Sequence, residues 1–590
     1  MGDAPKSAYE IAMEKLRMQD QQRGESGPAA LTDDQKREIS DVRARFQAKQ
    51  AEAEILHKAN RRKAGEDAEA LAKLEEEYAI DRRRIEEQRE REIARVRGAG
   101  GKGPAGGPPA GRTGKGKRKG AACILVAILA AFPGGIGPAG AIAGSTGMAE
   151  AGTGGAAGPE RGAGPPVLVL RAARLFDGGQ GDLRRDVAVV VEGERIRSVG
   201  PAASAVAPPG ATILDLGDAT LLPGLIDVHT HVLLQGDPTR RSYDDQVLKE
   251  SIPHRTIRGV AAARAALEHG FTTLRDLGSE GAGFADVALR DGILEGHVPG
   301  PRLFVATLAL DITGAYPLLG YAVESPVPNG VQVVDGPDAG RRAVREQVQR
   351  GADWIKVYCD RSYFIGPDGR LDSIPTFDAD ELRAIVNEAH RQNRKVAAHA
   401  MAPKGLQRAL DAGVDSIEHG IGLDAAAVRR MKAQGVAYCP TLMVTRYVAP
   451  ARAKEGAPVW ERIPALHESS FKAALAGGVT IVFGTDAGGF PWSLNEAEEF
   501  GWMVRFGMTP AAALRSATAV AARLLGQEQE VGRVAPGLRA DLVAVPGDPL
   551  QRIEAMQNVG FVMQRGRVVK NALAPVARDS APPASIAARR

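Results

Sequence analysis

The chain has 590 residues, a formal net charge of +4 and three cysteines, Cys123, Cys359 and Cys439. That length exceeds one ordinary domain, the near-balanced charge gives no electrostatic footprint for nucleic acid or strongly acidic partners, and three thiols build no disulfide framework. The densest positive charge is local, at Lys115 to Lys119.

Residues 1–100 read as a charged helical region. Thr32-x-x-Gln35 is a capping-box start, and Asp33 to Arg97 is dense in Glu, Arg and Lys with sparse apolar positions such as Ile39, Val42, Phe46, Leu71, Leu74, Tyr78 and Ile85. The spacing breaks around Gly65, so a coiled coil and a solvated helix both fit. Residues 101–165 form a Gly/Pro/Lys-rich linker with an apolar segment, AACILVAILAAF, inside a signal-like stretch at 121–141 that ends on Ala139-Gly140-Ala141. If 112–141 acts as a secretory signal the protein is exported or periplasmic; otherwise it is cytoplasmic. An internal anchor is the third option, and membrane association would run only through 121–141, which is short for a bilayer span.

From Val167 to Leu222 the chain reads as short strands, VLVLRAARLFDG, DVAVVVEGERIRSVG and ATILDLGDATLLP, and DLVAVPG and FVMQRGRVVKN supply more after Gly526. The two flanks, 166–222 and 527–575, are expected to pair into one small β-sandwich, with a disordered tail at 576–590. Between them, 223–526 holds eight strand-sized apolar runs: LIDVHTH, FTTLRDL, RLFVATLAL, DWIKVYC, KVAAHA, VDSIEHG, VAYCPTLMV and VTIVFGTD. Helical patterns intervene, for example Asp380 to Gln392 and Gly405 to Ala412. The alternation predicts an α/β fold, a closed (β/α)8 TIM barrel.

Six residues with ligand chemistry fall near the ends of these runs: His229 and His231 on the first, Lys356 on the fourth, His399 on the fifth, His419 on the sixth and Asp486 on the eighth. A single His in an apolar strand is more often a packed core residue, but H-x-H puts two imidazoles on one face. Imidazoles and a carboxylate suit Zn²⁺. An ammonium ligates no cation until it becomes an anionic carbamate, so Lys356 is either a snorkelling lysine or a modified ligand.

With these motifs the sequence resembles the metal-dependent amidohydrolase superfamily, in its imidazolonepropionase-like and prolidase-like branch, from about Val167 to Lys570. GFTTLRDLG at 270–278, MTPAAALRSATAVAARLLG at 508–526 and GRVAPGLRADLVAVPGDPL at 532–550 carry the likeness further. The resemblance implies two divalent metal ions, Zn²⁺ by donor type: His229, His231 and Asp486 holding one, His399 and His419 the other, and carboxylated Lys356 bridging them. It also implies that Asp486 is the catalytic proton carrier and that the reaction is hydrolysis of an amide or peptide-like C–N bond in a small molecule, an Xaa-Pro dipeptide or an N-acyl amino acid. The alternatives are a metal-dependent deaminase, a cyclic amidohydrolase, and a non-catalytic scaffold or interaction protein. The chain departs from the branch at DITGAYP, Asp311 to Pro317, where relatives carry Gly-Gly-His. Tyr316, Tyr358, Arg446 and Tyr447 are the candidate substrate-binding residues, a guanidinium being suited to a carboxylate. A homo-oligomer is compatible with this reading.

Overall fold

The computed structural model describes residues 166–573, apart from 180–182, 206, 317, 319–320 and 323. The expectations for 1–100, 101–165 and 576–590 lie outside the described residues.

Five strands open the described chain: β1 (Val167–Leu175), β2 (Arg184–Glu192), β3 (Arg195–Pro201), β4 (Thr212–Asp215) and β5 (Ala219–Pro223). The chain then alternates. β6 (Leu225–Thr230) is followed by helices α1 (Arg240–Lys249) and α2 (Ile252–Glu268), β7 (Phe271–Asp276) by α3 (Ala285–Leu294), and β8 (Arg302–Val305), β9 (Leu310–Asp311) and β10 (Gln332–Val333) by α4 (Pro337–Gln349). β11 (Trp354–Tyr358) runs straight into a hairpin, β12 (Asp360–Ile365) and β13 (Leu371–Pro375), before α5 (Ala379–Arg391). β14 (Lys395–Ala400), α6 (Pro403–Ala412), β15 (Ser416–His419), α7 (Ala425–Gln434) and β16 (Ala437–Cys439) complete the regular part. Helices α8 (Leu442–Lys454), α9 (Ile463–Gly477), α10 (Glu498–Arg505), α11 (Pro510–Ser516) and α12 (Ala519–Leu524) follow, and β17 (Leu542–Pro546), β18 (Phe561–Gln564) and β19 (Arg567–Asn571) return to the first flank.

The two flanks share one eight-stranded sheet, joined where β17 pairs antiparallel with β5. The expected two-layered sandwich is therefore one curled sheet. Its edge strand β3 reaches round to the segment before β17, with Ile196 N donating to Leu538 O at 2.9 Å. Leu170, Val189, Leu221, Leu542 and Phe561 fill the core it encloses.

The middle of the chain is a TIM-barrel-like α/β fold. Its parallel strands lie in two sheets, β6-β7-β8 and β10-β9-β11-β14-β15-β16, and not in the single closed eight-stranded ladder the sequence suggested. Three expected strands account for the difference, the first being RLFVATLAL, which splits into β8 in one sheet and β9 in the other. The run VAYCPTLMV is extended only over Ala437–Cys439; Pro440 follows, Thr441 adopts a left-handed φ of 52°, and Leu442 begins α8. The run VTIVFGTD makes one isolated bridge, Ile481 with Tyr438, and the residue that follows it, Ala487, makes another with Thr230. It still lies between β16 and β6: Val482 N donates to Tyr438 O (2.9 Å), Val228 N to Phe483 O (3.0 Å) and Asp486 N to His229 O (2.7 Å). A left-handed φ of 63° at Asp486 interrupts the extended repeat.

Side-chain alternation along β11 shows how the strands divide their faces. Ile355 and Val357 enter the large core that also holds the apolar faces of α4 and α5, whereas Trp354 packs with Ala397, Cys439 and Val482, closed from below by Ala521 and Ala522. Lys356 and Tyr358, of the same parity as Trp354, line the cavity described next.

Candidate active site

Strand register gathers the chemistry. Tyr358 stands opposite His399 across the β11–β14 ladder, and Ala400 opposite His419 across β14–β15. The His399 and His419 rings are 4.6 Å apart, His419 and His229 5.0 Å, and His229 and His231 5.5 Å. Ligand atoms of His229, His231 and Asp486 all lie within 4.8 Å of one another. A cavity of ≈ 90 Å³ is lined by all six residues singled out in the sequence, His229, His231, Lys356, His399, His419 and Asp486.

The imidazoles are held from behind. His229 Nδ1 meets Glu418 Oε2 at 2.8 Å, His231 Nδ1 meets Gly278 O at 2.9 Å, and His419 Nδ1 meets Thr441 Oγ1 at 2.8 Å. Each bond leaves Nε2 free of that support, and the proton assignments follow from the partners. His229 Nε2 is buried with no hydrogen-bond partner among the described residues and lies 3.6 Å from Asp486 Oδ1. His399 is turned the other way: its Nε2 contacts the Tyr363 hydroxyl at 2.5 Å, which leaves Nδ1. Asp227 locks the two halves of the first ligand set together, accepting from His229 N (2.9 Å) and from Thr485 Oγ1 (2.5 Å).

Electrostatics follow from burial and neighbours. Burial, reinforced by the Lys356 cation, lowers the His229 pKa to about 4, so its ring is neutral. Burial also opposes a charge on His231, yet the hydrogen bond to Asp486 and the Glu280 carboxylate raise its pKa to about 9. A positive charge is thus favoured between His231 Nε2 and Asp486 Oδ1, 3.3 Å apart. Asp486 is pushed up by burial but held well below the usual carboxylate range by the His229 and His231 imidazoles. Burial lowers the Lys356 pKa, and no carboxylate lies within ion-pairing distance of its nitrogen among the described residues. That environment shifts the balance toward the free amine.

Of the candidate substrate residues, Tyr316 and Tyr358 line the cavity, while Arg446 and Tyr447 do not. Because α8 is helical, the residues that face the cavity are Val444, Thr445, Val448 and Arg452. The Arg446 guanidinium is instead stacked on Trp502 at 4.4 Å and Phe506 at 4.6 Å, and Tyr447 packs against Phe490. Several site residues were missed from sequence. Glu280 accepts hydroxyls from Tyr243 (2.9 Å), Tyr316 (3.0 Å) and Tyr358 (3.4 Å), and Glu418 forms a wholly buried ion pair with Arg275 at 2.9 Å. Arg275 and Glu418 carried a signal, each being a charge inside an apolar strand; Glu280 sits in an irregular segment and Arg361 in the bulged strand β12, and neither carried one. Left-handed φ values at Glu280 (50°), His419 (71°) and Asp486 (63°) concentrate backbone strain around the cavity.

Residues 220–569 match the model of the amidohydrolase family. The chain belongs to that family. It is a hydrolase acting on carbon–nitrogen bonds, which sets aside the scaffold alternative. The chain is 32% identical to the ochratoxinase of Aspergillus niger over 439 residues, 68% of this chain and 87% of that protein. It is 28% identical to the imidazolonepropionase of Streptomyces griseus subsp. griseus, over 64% of this chain and 90% of that one. Among solved structures, an Xaa-Pro dipeptidase with methionine in its active site is 31% identical and superposes with a TM-score of 0.62, covering 69% of this chain and all of that one (100%).

Proposed function

We propose that this family member is a binuclear metal-dependent hydrolase of amide or peptide C–N bonds, with Xaa-Pro dipeptides or N-acyl amino acids as substrates. The observation that carries this reading is the ring of inward-facing donors, above all the buried, unpartnered His229 Nε2 beside Asp486. A buried polar atom without a partner costs on the order of 1–3 kcal/mol, and a cation held by His229, His231 and Asp486 removes that cost. His399 and His419 would hold a second ion, with Lys356 between the two sets as a carbamate. Imidazole and carboxylate donors suit Zn²⁺. Ions bound there would polarise the scissile carbonyl and make water nucleophilic at neutral pH. The similarity to an Xaa-Pro dipeptidase supports a dipeptide-like substrate.

The chain's own residues supply the rest. The Lys356 amine, whose pKa burial lowers, adds in its free-base form to the carbon of carbon dioxide and loses one proton to become an anionic carbamate. Asp486 accepts the proton of the attacking water and returns it to the leaving nitrogen, acting as base and then as acid. Asp486→Asn keeps one ligating oxygen and removes the basicity. It should retain metal while kcat falls by on the order of 10²–10⁴-fold. The reading is tested by metal content together with hydrolysis of N-acyl amino acids, Xaa-Pro dipeptides and cyclic imides. Absence of metal, no turnover of any of the three, or a fully active Asp486→Asn would sink it.

A further inference from the structure

Beyond the ligand set, the cavity contains a guanidinium whose counter-ion among the described residues, the buried Asp311, stays outside hydrogen-bonding range. Arg361 opens the β12–β13 hairpin, where a register shift between Arg361 and Phe364 and a left-handed φ of 56° at Ser362 mark a bulge. Bulges next to active sites commonly re-aim a side chain. Here the guanidinium lies between two aromatic rings, 3.9 Å from the centroid of Tyr358 and 4.0 Å from that of Tyr316. The hydroxyls of both tyrosines are committed to Glu280, which fixes the rings and takes them out of play as ligand donors.

Arg361 donates no hydrogen bond among the described residues. Its Nε and Nη2 are buried without partners, and the nearest carboxylate oxygen, Asp311 Oδ2, stands 3.7 Å from Nε, beyond hydrogen-bonding range, and is itself unpartnered. An arginine is always charged, so stacking contributes while the N–H edge goes unsatisfied. The other guanidinium lining the cavity differs. Arg452 is stacked on Trp460 at 4.7 Å and donates to Asp237 Oδ2 at 3.2 Å.

We propose, resting on the reading above, that Arg361 is the specificity residue of this hydrolase and grips a carboxylate carried by the substrate next to the scissile bond. A carboxylate supplies two acceptors in the geometry of the guanidinium fork. Position supports the assignment. The Tyr358 ring that stacks on Arg361 also lies 5.6 Å from Lys356 Nζ and 4.8 Å from the His399 ring, so one aromatic side chain separates the guanidinium from the proposed reaction centre. Arg361 also lines an outer cavity of ≈ 420 Å³ with Tyr243, Tyr363 and Trp460, where the remainder of a substrate has room.

The test uses the metal-loaded full chain with matched substrates: an N-acyl amino acid, its C-terminal amide, and a succinyl amide that carries the carboxylate on the acyl side instead. Wild type should prefer the acids. In Arg361→Met the acid-over-amide ratio of kcat/KM should collapse by on the order of 10²–10³-fold, mainly through KM, with a partial loss in Arg361→Lys. Collapse confined to the N-acyl amino acid places the carboxylate on the amine half; collapse confined to the succinyl amide places it on the acyl half. Calorimetric binding of the free amino acid, compared with its amide, gives a readout independent of turnover and should vanish in Arg361→Met. If wild type turns over none of the three, the hydrolase reading fails and calorimetry alone decides on Arg361. If Arg361→Met does not fold, Arg361→Lys decides. An unchanged acid-over-amide ratio, or equal binding of acid and amide by wild type, overturns the proposal.

Discussion

Glu418→Gln isolates how the chain prepares His229. Burial alone would raise the Glu418 pKa, but Arg275 and His229 hold it well below the usual carboxylate range. Its two oxygens accept from Arg275 Nη2 at 2.9 Å and Ser416 Oγ at 2.5 Å on one side and face His229 Nδ1 at 2.8 Å on the other, with Glu418 and Arg275 fully buried. Removing one partner of a buried pair typically costs about 3–5 kcal/mol. The amide still offers one oxygen to Arg275, so we expect a loss of about 2–4 kcal/mol. The second effect is chemical. With its oxygen turned to Arg275, the amide presents N–H to His229 Nδ1, which must become an acceptor, and the proton moves to Nε2, the atom the ligand set needs bare. Metal affinity should therefore fall about 10–100-fold, the usual share of a group that orients a ligand. Equilibrium urea unfolding after chelation reads the first quantity, and competition with a metallochromic chelator reads the second. A Glu418→Gln protein that binds metal as tightly as wild type and unfolds within about 0.5 kcal/mol of it would refute both the ion pair's role and the tautomer assignment.

Lys356→Ala should lose one metal per chain by elemental analysis and most turnover, with partial rescue by added short carboxylates; full occupancy and unchanged rate would remove the bridging carbamate. Gly488→Ala should lower stability by about 1–3 kcal/mol and displace His231, because a Cβ there would sit 2.3 Å from His231 O at a φ of 107°; wild-type metal content and melting would contradict this. Glu388, in α5, is pulled down to about 2 by Arg345 of α4 and Arg391. A depressed carboxylate stabilises above its unfolded pKa of about 4.3 and loses that contribution as pH falls through 2. Because both arginines are more than half exposed, 56% and 63%, Glu388→Gln should cost only about 1 kcal/mol at pH 7. The difference from wild type should close between about pH 5 and 2; a gap that persists at pH 2 would place the effect in packing.

What could be read from the sequence was what strand periodicity and residue chemistry enforce together. A histidine or lysine at the end of a run of Val, Ile and Ala is costly unless something ligates or neutralises it, and His229, His231, Lys356, His399, His419 and Asp486 do converge on one cavity. The strand ends were legible less well. Pro440 and the left-handed Thr441 turn the chain into a helix within three residues of β16, so counting along an imagined strand pointed Arg446 and Tyr447 at the cavity when helical geometry turns them away. Arg361, which reaches it together with Arg452, depends on a bulge in a hairpin that no apolar repeat announces. The single curled flank sheet was likewise hidden, since strand runs give pairing partners only through long-range register.

The buried charges of the cavity sort into those that are satisfied and those that are not, and the division gives the site a direction. Glu418 is occupied by Arg275 and His229, Glu280 by three tyrosine hydroxyls, and Asp227 by Thr485 and the His229 backbone. The open valences lie at two places: donors with bare lone pairs at His229 and its neighbours, and N–H donors without acceptors at Arg361. The first place calls for cations and the second for an anion, with the Tyr358 ring between them. A small substrate with a carboxylate near its amide carbonyl satisfies both at once and is fixed in orientation by doing so, before any bond is broken. A neutral amide can engage only the cation side and keeps the freedom to swing off the attack line. Arg361 should therefore act on positioning as well as on capture, and Arg361→Lys, which keeps the charge but not the planar fork, should lower kcat for the acid substrate in addition to raising its KM.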